Sequence, residues 1–175
     1  MVIDSTWFTD IPPLHAVWAP IGEQVKVPVV GEHFKRICLT AVLSLKTGDM
    51  IDFVSTYYKQ GEFQEMLRLV RAHWRGWHIV LFIDKNSAHT AGASQQLADK
   101  LGVEMRWLPT ACSELNPVDH LWRHLKKDVV ANQPTPTLDM TLQHARGYLA
   151  ALSPRQRLQK AGVLSADFWL ADILE

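Results

Sequence analysis

Three aspartates hold positions where a carboxylate could do chemistry. Asp4 follows the apolar residues Met1-Val2-Ile3. Asp84 directly ends the run His78-Ile79-Val80-Leu81-Phe82-Ile83, and Asp119 stands three residues after Asn116. A carboxylate at the end of a buried strand is costly unless it is paired, hydrogen-bonded or bound to a metal. Hard oxygen ligands of this kind suit Mg²⁺ or Mn²⁺. Two such ions roughly 3.5–4 Å apart can activate a water or a 3′-hydroxyl and stabilise the leaving oxygen of an in-line phosphodiester displacement. Each residue also has a plainer reading. Asp4 could be a strand-end residue facing water, Asp84 a cap for the loop Lys85-Asn86-Ser87, and Asp119 a first-turn acid favoured by the helix dipole.

For the three to meet, particular elements must carry them. Met1 to Phe8 reads as a strand, Val25 to Val30 as an edge strand around Pro28, and Ile37 to Leu45 as a strand that turns at Lys46-Thr47-Gly48-Asp49 into Met50 to Tyr57. Phe63, Met66, Leu67, Val70 and Trp74 then recur at helical spacing up to Gly76. His78 to Ile83 reads as a buried strand, Thr90 to Leu101 as a helix closed by Gly102, and Val103 to Leu108 as another strand. Asn116-Pro117 opens a helix, with Asn as cap and Pro in the first position, whose apolar stripe is Val118, Leu121, Trp122, Leu125 and Val129. A further helix covers about Leu138 to Leu152, before a short C-terminal helix or two. The order predicts an α/β fold, a ribonuclease H-like mixed β-sheet flanked by helices. If the first strand is central and the Asp84 strand lies beside it, the carboxylates converge at one edge, with Asp4 as the bridging ligand.

Length and composition bound the answer. The chain has 175 residues, 47% hydrophobic and 21% charged, which fits one domain with a real core over residues 1–175. No apolar run approaches the ~18–20 residues of a membrane span, and the first residues lack a signal peptide's basic and apolar regions. Cys38 and Cys112 are expected to be free thiols in a reducing, cytoplasmic compartment. Formal net charge is zero, against the basic balance usual where phosphate contacts carry binding. The charge is uneven, however. From His120 to Lys160 there are Arg123, Lys126, Lys127, Arg146, Arg155, Arg157 and Lys160 against Asp128 and Asp139. This stretch is either a solvated helical surface or a phosphate-facing one.

Four segments resemble the mariner-like superfamily of transposases, especially its bacterial insertion-sequence branch. They are Asp4-Ser5-Thr6-Trp7-Phe8; Trp18-Ala19-Pro20-Ile21-Gly22-Glu23; Leu81 to Ala91, with His89 five positions after Asp84; and Leu108-Pro109 followed by Ser113-Glu114-Leu115-Asn116-Pro117-Val118-Asp119-His120-Leu121-Trp122. Thirty-four residues separate Asp84 from Asp119, the spacing typical of that superfamily. The chain departs from the pattern at Ser5, where many relatives carry Glu, at Lys85, which displaces Asn86 by one, and at Asp119, where the bacterial branch more often has Glu.

The resemblance implies a transposase catalytic domain that hydrolyses phosphodiesters at transposon ends and joins the 3′-hydroxyls to target DNA. Asp4, Asp84 and Asp119 would be both the catalytic residues and the ligands of two Mg²⁺ or Mn²⁺ ions. It further implies a TA target, a homodimer in synapsis and a nucleoid-associated location in a bacterium. Relatives carry a helix-turn-helix DNA-binding region before the first block; three residues precede Asp4 here, so that region is expected to be absent and an upstream polypeptide is a candidate to supply it. His89 either orders the loop or, with Arg123, Lys126 and Lys127, contacts nucleic acid. Asn116 and Pro117 are expected to aim Asp119, Trp122 to be core, and Trp18 to be the better interface candidate. Another ribonuclease H-like nuclease, and a non-catalytic transposase remnant, are the rival readings.

Overall fold

Alternation along the strands divides the interior into two cores, one on each face of a single sheet. The computed structural model describes residues 1–27 and 35–174. Its strands are β1 (Val2–Thr9), β2 (Arg36–Leu43), β3 (Met50–Ser55), β4 (Ile79–Ile83) and β5 (Val103–Trp107), in the order β3-β2-β1-β4-β5. β1 is antiparallel to β2, and β2 to β3, whereas β1–β4 and β4–β5 are parallel. Successive side chains of a strand point to opposite faces. Val2 and Phe8 of β1 therefore enter one core with Leu39, Ala41 and Leu43, while Ile3 enters the other with Ile79, Leu81 and Ile83.

Helices close both faces. Helix α1 (Gln60–His73) buries Phe63, Met66, Leu67 and Val70, the stripe its spacing predicts, in the second core. The expected helix Thr90–Leu101 is two helices, α2 (Ser87–Thr90) and α3 (Gly92–Leu101). Asn86 caps a turn of its own by accepting from the Ala88 N–H, and Ala91 leaves helical geometry at ψ 131°. Gly102 ends α3 at φ +64°, in the left-handed region that favours glycine.

The first core is closed by α4 (Pro117–Leu125), α5 (Leu138–Ala151) and α6 (Pro154–Lys160), and a last turn, α7, covers Ala171–Leu174. Val118, Leu121, Trp122 and Leu125 are buried as expected, but the next buried residue is Val130, with Val129 only half-buried. The cause is a π turn over Lys126–Val130, which adds a residue to the repeat and slips the stripe by one position. The β2–β3 turn docks on α6. Gly48, at φ +72°, sits so close to the Pro154 backbone that no side chain would fit, and Arg157 donates to the Gly48 carbonyl at 3.4 Å. The expected edge strand Val25–Val30 is not formed over Val25–Val27, and Pro28–Val30 lie outside the described residues. Among the described residues no helix is long and apolar enough to cross a membrane.

One buried side chain ties β1 to α4. Asn116, 3% exposed, accepts from the Val118 N–H at 3.0 Å as the helix cap and donates through Nδ2 to the Ile3 carbonyl at 3.0 Å. Asn116→Ala removes the cap, worth about 1 kcal/mol, and leaves a buried carbonyl unpaired at roughly 1–3 kcal/mol. Urea unfolding should show a loss of about 2–4 kcal/mol. A loss below about 0.5 kcal/mol would mean that this clasp does not hold the two elements together.

Candidate active site

The register of the two central parallel strands brings the first two aspartates together. Val2 pairs with Phe82, so two residues further on Asp4 stands level with Asp84. β4 stops at Ile83 while β1 runs on to Thr9, which leaves a crevice beyond the carboxyl end of β4. The strand order also reverses between β1 and β4, with β2 and β3 to one side and β5 to the other, the kind of position at which open α/β sheets form binding crevices. Asn116 fixes the start of α4 over this point, and Asp119 lies in its first turn. Asp4, Asp84 and Asp119 all line one cavity of ≈ 380 Å³, together with Ser5, Asn86 and Asn116.

The electrostatics follow from gathering like charges in a partly dry crevice. Burial, more than any neighbour, pushes the Asp4 carboxyl up to about 7, and the charges of Asp119 and Asp84 push the same way. Asp84 is held below the usual carboxylate range, chiefly by its hydrogen bond from His89, whose Nδ1 lies 2.7 Å from Oδ1. Asp119 accepts from Arg123 at 2.5 Å, one helical turn away. Asp84 and Asp119 are thus engaged with side-chain donors of the protein, while Asp4 has only the Ser5 backbone N–H. As they stand, no three His, Cys, Asp or Glu side chains among the described residues are close enough to share an ion. The donor set nonetheless fits a hard divalent cation. It is all oxygen, and its most buried member is pushed by burial toward keeping its proton, a cost that a bound cation's charge would offset.

The residues expected to touch nucleic acid separate. His89 is 4% exposed, with Nδ1 on Asp84 and Nε2 2.5 Å from the Tyr58 hydroxyl, so the side chain faces inward. Lys126 is half-buried beside the crevice. Burial lowers its pKa, while the charges of Asp119 and Asp4 oppose that shift. Lys127 is exposed, and Arg123 is exposed but paired with Asp119.

The basic stretch is also less free than its composition suggests. Arg146 pairs with Asp52, Lys160 with Asp128, and Arg157 donates to the Leu149 and Gly48 carbonyls. Trp122 is core at 2% exposure, and Trp18 is fully exposed. Tyr58 is the site residue that sequence reasoning missed. It adjoins Tyr57 in sequence, and nothing in the local pattern tells the exposed Tyr57 from the half-buried Tyr58.

A family model described as DDE superfamily endonuclease matches residues 1–141. The chain belongs to the DDE superfamily endonucleases. A search of curated proteins by sequence returned no match. Among solved structures, the Mos1 transposase paired-end complex with left transposon end superposes at a TM-score of 0.73 and 15% identity, over 95% of this chain and 52% of that one. The mariner Mos1 paired end complex with Mg gives 0.72 and 18%, over 97% and 53%. The catalytic domain of Mos1 mariner transposase gives 0.63 and 14%, over 93% and 76%. At these identities the likeness shows the fold, which is the ribonuclease H-like mixed sheet expected from the element order. The chain spans about half the length of the transposase chains in the paired-end complexes.

The Asp4 shift in this DDE endonuclease predicts an unusual pH profile. A carboxyl whose folded pKa is raised favours folding while protonated, and that contribution is lost as pH rises from about 4 through about 7. With chelator present, the wild-type chain should lose stability across that window, while Asp4→Asn should lack this loss and be more stable at pH 8 by on the order of 2 kcal/mol. Parallel urea titrations at pH 4.5 and pH 8 measure this. Equal pH dependence in the two proteins would show that Asp4 is not the desolvated group.

Proposed function

We propose that residues 1–175 form the catalytic domain of a DNA transposase of the mariner-like superfamily, in its bacterial insertion-sequence branch. The domain would cut phosphodiesters at transposon ends and transfer the 3′-hydroxyls into target DNA. The observation that carries the reading is the convergence of Asp4, Asp84 and Asp119 on one crevice at the switch point of the sheet. Family membership supports it, as do similar folds whose structures were determined with Mg and with Mn and in paired-end complexes.

Asp4, on the central strand, would hold two Mg²⁺ or Mn²⁺ ions together with Asp84 and Asp119. When bound, the ions would activate a water or 3′-hydroxyl and stabilise the leaving oxygen. The residues of the chain set the conditions for this. Asp4 must give up its proton on loading, which nearby positive charge favours. Arg123, Lys126 and Lys127 follow Asp119 along α4 and its π turn, where they would guide a phosphate backbone past the carboxylates. His89 would orient Asp84. Zero net charge suggests that much of the DNA affinity comes from a helix-turn-helix module outside residues 1–175, carried by an upstream segment or polypeptide. A homodimer holding two ends, insertion at TA and a cytoplasmic, nucleoid-associated location complete the reading.

Two measurements test it. Mn²⁺ at one hundred times its dissociation constant should stabilise the chain by about 2.7 kcal/mol, and Asp4→Asn should abolish that gain in a thermal-shift titration. DNA carrying inverted repeats, sought on either side of the reading frame, should be nicked in Mg²⁺ or Mn²⁺ and not in chelator, with Asp84→Asn slower by on the order of 100-fold or more. Undiminished nicking by Asp84→Asn would overturn the carboxylate assignment. Cleavage of an RNA:DNA hybrid in place of the DNA would favour a different ribonuclease H-like nuclease, and no response to millimolar metal would favour a non-catalytic remnant.

A further inference from the structure

Beneath the crevice, on the face covered by α1, a partly buried polar chain runs from Tyr58 through the buried His89 to Asp84. Tyr58 lies in the connection between β3, at the far edge of the sheet, and α1, and is 31 residues from His89 in sequence. Its hydroxyl is 2.5 Å from His89 Nε2. On the other side of the ring, Nδ1 is 2.7 Å from Asp84 Oδ1 and 3.1 Å from the Asp84 carbonyl oxygen. Both of those oxygens are acceptors, so Nδ1 must carry the proton. The ring cannot turn away from this arrangement. It is 4% exposed, its centroid is 4.4 Å from that of Phe63, and Tyr58 meets it edge-on at 5.5 Å.

We propose that Tyr58 is a positioning residue for the Asp84 carboxylate: its hydroxyl donates to His89 Nε2, selects the tautomer with the proton on Nδ1, and thereby commits Asp84 Oδ1 to the ring. Burial keeps the Tyr58 phenol well above its ordinary pKa, so the group retains its proton and acts as the donor. Asp84 needs such a hold. It stands beyond the last residue of β4, with its side chain 58% exposed, and no strand ladder fixes its orientation. Histidines that bind a metal are oriented by an outer carboxylate or carbonyl. Here the order is reversed, and a tyrosine and a histidine orient the carboxylate. The inference rests on the reading of Asp84 as a metal ligand.

Calorimetric Mn²⁺ titration of the full chain and ¹⁵N NMR of the His89 ring test this together. Tyr58→Phe should weaken Mn²⁺ roughly 10-fold and mix the two ring tautomers, while Tyr57→Phe, at the exposed neighbour, should change neither. His89→Asn places an amide N–H near the Nδ1 position and should bind Mn²⁺ within about threefold of wild type, whereas His89→Gln places it near Nε2 and should lose roughly 10-fold or more. A purely packing role would make the two substitutions equally harmful. Chelator-state melting of each variant separates a folding defect from a loss of metal.

Unchanged affinity and tautomer in Tyr58→Phe, or equal losses in His89→Asn and His89→Gln, would overturn the proposal. Asp84→Asn separates the two layers. Retained Mn²⁺ binding would remove the metal reading of Asp84 and the positioning role with it. Lost binding beside a wild-type-like Tyr58→Phe would remove the positioning role alone.

Discussion

Like charges gathered in a crevice that is only partly wet set the terms for the rest of this structure. Asp4 sits mid-strand in the central β1, level with Asp84 and under Asp119, where water cannot fully solvate it. Carboxylates in such a place repel one another and resist ionisation. The fold offsets the cost unequally. Asp84 is matched by His89 and Asp119 by Arg123, and Asp4 is left to hold its proton near neutrality. That asymmetry is what a divalent cation would exploit, since its charge would offset the desolvation that Lys126 only partly counters at Asp4.

The backbone makes the gathering possible. Parallel pairing of β1 with β4 sets two aspartates at one height, and the Asn116 side chain fixes the third by capping α4 while holding the Ile3 carbonyl. The clasp grips the residue directly before Asp4, so any shift of α4 is felt at β1. The π turn at Lys126–Val130 serves the same region. It keeps α4 and its continuation on the first core while Lys126 stays beside the crevice, close enough for Asp4 and Asp119 to affect its pKa.

The same accounting limits what the surface can do. Among the basic residues between His120 and Lys160, Arg123, Arg146, Lys160 and Arg157 are already engaged with carboxylates or carbonyls of the chain itself. With zero net charge besides, the domain is poorly equipped for non-specific phosphate binding on its own.

Much of this was legible from the residues in order. Apolar alternation and helical spacing gave the strands and helices around the site, because burying an apolar face needs a regular repeat. Asn116-Pro117 announced a helix start, because a cap and a φ-locked first residue are local chemistry. The three aspartates could be picked out because Asp84 and Asp119 flank the ends of such elements and Asp4 interrupts an otherwise apolar strand start. The π slip from Val129 to Val130 and the break at Ala91 were not legible, since both valines are apolar and Ala91 carries no breaker's signature. The inward placement of His89 was only one of two readings, because it depends on Tyr58, 31 residues away. The difference between Tyr57 and Tyr58, two identical side chains in adjacent positions, was not legible either. The sequence by itself determined the elements and the carboxylates they carry, through short-range preferences of backbone and side chain. Only the tertiary structure decided which carboxylate is desolvated, which is paired, and which tyrosine stands behind them, because burial and charge separation are properties of three-dimensional neighbours.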